Sequence, residues 1–200
     1  MATALRIGPA DRGRPMALAE FLAGDFEEGY QYELIDGRLS MNPVPNAAEG
    51  MVDRWIILKL HGYTLNHPEV LNCVCWKARV YIPGRRGVTN PEPDATAYHD
   101  FPWTQDLRNL RWQDLSPILV VEVLSADDPD KDLVRNANLY LQVPTIKEYW
   151  ILDARVDPAR PALRVHRRHG RQWRIVEVGP GGTYTTKLLP GFELILDIQK

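Results

Sequence analysis

Residues 118–124 read ILVVEVL: every position is apolar except Glu122. A run apolar on both alternating faces predicts a strand covered on both sides. Ile118, Val120 and Leu124 share a face with Glu122, while Leu119, Val121 and Val123 line the other. EYWILD, at 148–153, repeats the pattern. Between the two strands, Asp128 is a good N-cap and Pro129 suits a first helical position, so a helix is predicted over 129–142. Two covered strands flanking one helix predict a parallel βαβ unit.

The remaining patterning fills in the frame. YQYELIDGRLSM, at 30–41, predicts a hairpin turning at Asp36-Gly37. Asn46 followed three residues later by Glu49 is a capping-box signal for a helix over 46–67. Strict alternation over 70–82 predicts one long strand, with Val74, Trp76, Ala78, Val80 and Ile82 inward and Cys73, Cys75, Lys77, Arg79 and Tyr81 outward. DATAY is a short strand, 162–178 a hairpin, and LPGFELILDI a closing strand. A short amphipathic helix is expected over 15–23, after a loose tail at 1–14. The class is α/β (α+β): one domain over 15–200, with a mixed central sheet, helices on its faces and added β-hairpins.

Composition supports a folded, core-forming chain of 200 residues, 44% apolar and 25% charged. A net charge of −2 argues against a uniformly basic nucleic-acid coat but leaves room for local basic patches. No apolar stretch reaches the ~18 residues of a membrane span. The first residues lack an apolar leader core, so a cytoplasmic location is expected. Cys73 and Cys75 are read as reduced thiols, and a lone Cys-x-Cys is weak support for zinc. The five histidines have no metal-motif spacing.

The chemistry begins with Glu122. A carboxylate in a covered strand is costly unless it is paired, hydrogen-bonded or bound to a cation. The strand's carboxyl end is also where open α/β sheets hold ligands. A buried pair with Arg or Lys is the plain alternative. Asp94, in NPEPDATAY, opens another strand; alone it reads as a turn residue after Pro93. Together the two acids could converge on one hard cation such as Mg²⁺.

PEPD, VVEVLS and YLQVPTIKEYWILD, with YELIDGRL before them and LPGFEL after, resemble the Uma-type family of restriction endonucleases in the PD-(D/E)XK superfamily. The resemblance implies a restriction-endonuclease-like core and hydrolysis of DNA phosphodiesters with Mg²⁺ or Mn²⁺. It implies Asp94 and Glu122 as metal ligands, with the Val123 carbonyl, and Glu33 as a further acid near the site. Tyr140 and Tyr149 match aromatic positions of the family and read as core. Family members of this kind often pair, so a homodimer is implied by analogy.

One position departs from the family. The superfamily's lysine would fall at Leu124, and the family's relocated lysine at Asn136. At ~3.6 residues per turn, Lys131 and Arg135 fall on the solvent side of the predicted helix, opposite Leu133. Lys77 and Arg79 are then candidate replacement cations, each equally readable as a solvated strand face. For DNA contact the Arg85-Arg86 loop is preferred to the basic hairpin of Arg164, Arg167, Arg168 and Arg171; Arg79 joins it. Trp103 and Trp112 are read as covering the core rather than stacking on bases. Two functions follow: a metal-dependent DNA endonuclease, or a weakened or inactive nuclease-fold module that binds DNA or regulates.

Overall fold

The computed structural model describes residues 6–200. Strands β1 (Tyr30–Ile35) and β2 (Arg38–Pro43) form the first hairpin. Its turn residues Asp36 and Gly37 both have positive φ, 53° and 71°. That is the requirement of the tight turn the Asp-Gly pair predicts. Helix α1 (Leu18–Leu22) precedes the hairpin and α2 (Ala47–Asn66) follows it. The capping box forms: the Asn46 side chain accepts from the amides of Ala48 and Glu49, and Glu49 accepts from the Asn46 amide.

The central sheet has six strands: β3 (Cys73–Trp76), β4 (Ala95–Tyr98), β5 (Leu119–Val123), β6 (Glu148–Asp153), β7 (Ala162–His169) and β8 (Gln172–Val178), in the order β3-β4-β5-β6-β7-β8. Every pairing is antiparallel except β5 with β6. The parallel pair needs a crossover, and that crossover carries a π-helical turn (Lys131–Asn136) running into α3 (Ala137–Leu141). A last hairpin, β9 (Thr183–Thr186) with β10 (Leu189–Ile195), completes the mixed α+β fold.

The alternation of β5 divides the core. Leu119, Val121 and Val123 face α2 and the β9–β10 hairpin, alongside Ile56, Leu60, Trp150 and Leu194. Val120 and Leu124 face the other way, against Ala137, Leu139, Tyr140 and Tyr149. Glu122 belongs to this second face and is therefore roofed by the crossover.

Two expectations are corrected. The alternating strand of 70–82 ends at Trp76, because Lys77 takes a positive φ of 54°. Beyond that bend Val80 and Ile82 reach the second core, while Trp76 is left 66% exposed. The tail expected over 1–14 is packed from Ile7 onward: Ile7 is buried and its amide donates to Asp25 at 2.7 Å. Residues 1–5 lie outside the described residues. Trp103 and Trp112 are exposed, yet Trp103 lies over the buried Phe101 ring at 4.8 Å and Trp112 flanks the same small cluster.

Candidate active site

Asp94 stands one residue before β4, and the register Ala95↔Val121 carries it level with Glu122 on β5. The two acids, distant in sequence, thus meet at neighbouring strands. The Val123 amide donates to Asp94 Oδ2 at 2.7 Å, and the Lys77 ammonium contacts Asp94 Oδ1. The left-handed bend at Lys77 turns the chain at this point; a non-glycine residue held there is a mark of an over-determined site.

Glu122 is 1% exposed. Its Oε1 accepts from Asn136 Nδ2 at 2.9 Å and from the Tyr140 hydroxyl at 3.0 Å. The same Asn136 amide donates to Asp132 Oδ1 at 3.0 Å, so it bridges two buried carboxyls. Arg135 donates from Nε to Asn136 Oδ1 at 3.0 Å and from Nη2 to Glu33 Oε2 at 2.8 Å. Glu33, buried on β1, also accepts from the Glu92 amide at 3.0 Å. The network therefore ties the first hairpin, the crossover and β5 together.

The solvent placement of Lys131 and Arg135 is overturned. Residues 131–136 form a π turn, in which residues five apart are paired, so an angular count made at 3.6 residues per turn misplaces them. Lys131 turns inward, with Nζ 3.5 Å from Asp132 Oδ1 and its side chain 13% exposed. Arg135 turns inward onto Glu33. Lysine is absent at Asn136, yet an ammonium enters the cluster from Lys131, at the other end of the same turn.

The electrostatics follow from crowding acids in a dry place. Burial, helped by Asp132, pushes the Glu122 carboxyl well above the ordinary range, against the pull of Lys131. Asp132 is raised to about 7, by burial first, with Lys131 opposing. Asp53, from α2, is raised to about 8 by burial and by the charge of Asp94, with Lys77 opposing. Burial alone would lower the two lysines. For Lys77 it is outweighed by Asp94, Asp53 and Glu122, and for Lys131 by Glu122, Asp132, Glu33 and Asp94, so both stay charged.

A cavity of about 240 Å³ opens beside this cluster, lined among others by Arg12, Asp53, Asp94, Val123 and Lys131. Asp53 and Arg12 were missed by sequence reasoning. Asp53 sits beside Val52 and Ile56 on α2, where an acid adjoining the apolar arc was the available signal. Arg12 fell in the segment read as a tail; its guanidinium donates to Met41 O at 2.7 Å.

The three arginines expected at DNA divide. Arg79 is spent internally: it pairs with Glu92 at 2.7 Å and lies over the Phe21 ring at 4.8 Å. Arg85 forks onto Asp36 at 2.8 and 2.5 Å, fixing its loop to the first hairpin, and Arg86 is exposed. Neither Arg85 nor Arg86 lines the acidic cavity.

A family model described as "Uma2: Putative restriction endonuclease" matches residues 18–199. The chain belongs to the Uma2 family. Among solved structures it is similar to one titled a "putative nuclease belonging to DUF820", from Anabaena variabilis. The two share 17% identity and a TM-score of 0.67, over 92% of this chain and 96% of the other, a likeness of fold. No curated protein matches.

Restriction endonuclease-like families generally use divalent metals, and the donors gathered here are hard oxygens. Six carboxyls (Glu33, Asp53, Glu92, Asp94, Glu122 and Asp132) meet four basic groups (Lys77, Arg79, Lys131 and Arg135). Two negative charges are left over if all ionise, the complement of one divalent ion. Asp53 Oδ1 is moreover buried without a hydrogen-bond partner. Among the described residues no three His, Cys, Asp or Glu side chains already form a ligand set, and Lys77 and the Val123 amide hold the Asp94 oxygens. Hard oxygen donors in surplus fit Mg²⁺ or Mn²⁺, provided Lys77 yields its place on Asp94.

Proposed function

We propose that the protein is a metal-dependent DNA endonuclease, with Mg²⁺ or Mn²⁺ held by Asp94, Glu122 and the Val123 carbonyl. The observation that carries this reading is the placing of Asp94 and Glu122 level on adjacent strands, within a cluster of six carboxyls and four basic groups. A divalent ion there would polarise the scissile phosphate and acidify an attacking water.

The chain's own residues do the rest. Hydrolysis adds a water oxygen to phosphorus, breaks one P–O bond and returns a proton to the leaving oxygen. Lys77, displaced from Asp94, brings its ammonium to the charge that grows on the phosphate. A preorganised donor in such a role is worth ~3–4 kcal/mol, or about a thousandfold in rate. Asn136, neutral, fixes the direction of Glu122 and Asp132 instead of supplying charge. Lys131 restrains the repulsion between those two acids. Glu33 acts as the anchor of Arg135. Arg86 is the phosphate contact, with Arg85 holding its loop. The expected setting is cytoplasmic DNA, with two copies acting together to cut both strands.

Nicking of supercoiled plasmid in Mg²⁺, in Mn²⁺ and in chelator, compared with Glu122→Ala, tests the reading. Cation-dependent nicking that the variant loses supports it. Equal nicking by both proteins would end it.

A second reading, a module that binds DNA and cuts slowly or not at all, is favoured by Asn136 at the family's lysine position. DNA retention without nicking, in wild type and variant alike, is its signature.

A further inference from the structure

We propose that Asp53 is a cation-binding carboxylate of this site, so that a divalent ion is held between α2 and the β4–β5 edge rather than by the two strand acids alone. The inference rests on the metal-dependent reading above and deepens it.

Asp53 is 5% exposed and projects from the core side of α2, between Val52 and Ile56. Its Oδ1 has no hydrogen-bond partner. Buried carboxylate oxygens without partners are rare, because nothing replaces the water they gave up. Every other acid of the cluster has at least one partner: Asp94 has Lys77 and the Val123 amide, Glu122 has Asn136 and Tyr140, Asp132 has Asn136, Glu33 has Arg135 and the Glu92 amide, and Glu92 has Arg79. Among the cluster's carboxylates, Asp53 Oδ1 is the one fully buried oxygen left without a partner.

The cavity says where that ligand lies. Asp53, Asp94 and Val123 all line it, and Glu122 does not. Glu122 lies on the opposite side of β5 from Val123, with its Oε1 turned toward Asn136 and Tyr140 under the crossover. Five carboxylates line the cavity, Glu49, Asp53, Asp94, Asp127 and Asp128, and of these only Asp53 and Asp94 are buried. Mg²⁺ commonly takes one or two carboxylates and fills its octahedron with waters and phosphate oxygens. Asp53 and Asp94 supply that pair, with cavity volume left for the remainder. On this assignment Asp53 takes the ligand place given above to Glu122, which acts through its charge from behind.

Isothermal titration with Mn²⁺ and with Mg²⁺, without nucleic acid, tests the assignment in wild type, Asp53→Asn and Asp94→Asn. Asp53→Asn keeps the shape of the side chain and removes a buried carboxyl that has no partner, so its melting temperature without metal should equal or exceed wild type. Its affinity should fall at least tenfold, as should that of Asp94→Asn, and Asp53→Glu should recover part of the loss. Asp53→Ser gives the same test should the Asn variant not fold. Binding by Asp53→Asn within twofold of wild type, with Asp94→Asn impaired, overturns the assignment and leaves the nuclease reading standing. No heat of binding from wild type at millimolar ion overturns both.

Discussion

Glu33 and Arg135 join the first hairpin to the crossover, and cutting that tie has a calculable cost. Arg135→Met removes the guanidinium 2.8 Å from Glu33 Oε2 while keeping much of the side chain's bulk. Glu33 is 2% exposed and would be left with one partner, the Glu92 amide. Breaking a buried pair by deleting one partner costs ~3–5 kcal/mol. At this chain length each kcal/mol is worth about 2–4 °C, so melting should fall by on the order of 10 °C. Glu33→Gln in the Arg135→Met background should recover more than half of that, because the stranded charge is gone. Differential scanning calorimetry of the four proteins of this cycle gives the coupling directly. A loss under ~1 kcal/mol in Arg135→Met, as expected of a solvated pair, or additive effects in the double variant, would refute the tie and return Glu33 to direct catalysis.

Other outcomes are equally open to measurement. Asn136→Lys places an ammonium between Glu122 and Asp132 and should raise any nicking rate tenfold or more; an unchanged rate would mean Lys77 and Lys131 already supply the charge. Asp53 and Asp132 hold protons in the folded state up to about pH 8 and 7, whereas the unfolded chain releases them near its ordinary 3.8. Between those limits the folded state binds more protons, so stability is greatest at low pH and falls as pH rises. Urea unfolding should show it, and Asp53→Asn should flatten the slope over pH 5–7 by up to ~1.4 kcal/mol per pH unit; identical slopes would contradict it. Arg86→Ala should weaken DNA retention and lower the salt slope by about one. Arg79→Ala should instead lower the melting temperature, having lost Glu92 and Phe21.

The elements most legible in the sequence were those with strong local chemistry. Asp36-Gly37 specified its turn, Asn46 and Glu49 their cap, and the doubly apolar run around Glu122 a strand roofed on both faces. The placing of Asp94 level with Glu122 follows from strand order, which the βαβ pattern limits but does not dictate. What stayed hidden depends on departures from regular geometry. One backbone dihedral at Lys77 ends the strand and leaves Trp76 exposed, although Ala78, Val80 and Ile82 stay inward as their alternation predicts; residue type alone does not announce a lysine with positive φ. The π turn carries Lys131 and Arg135 from the expected solvent face into the acid cluster, because the wheel used for 129–142 assumed a different pitch. Asp53 looked like ordinary helix polarity, since its cost appears only once α2 is set against β4 and β5. Ile7 gave no sign that Asp25 and Phe26 would receive it.

The central claim, that this acid cluster is completed by a divalent cation, is met most directly by crystals of the protein soaked in Mn²⁺ and measured for anomalous scattering. The account predicts a peak in the cavity beside the Asp94 carboxylate, at ~2.0–2.3 Å from its oxygens, with the Lys77 ammonium moved away. Lys77 still seated on Asp94, and no peak in the cavity at saturating Mn²⁺, would contradict it.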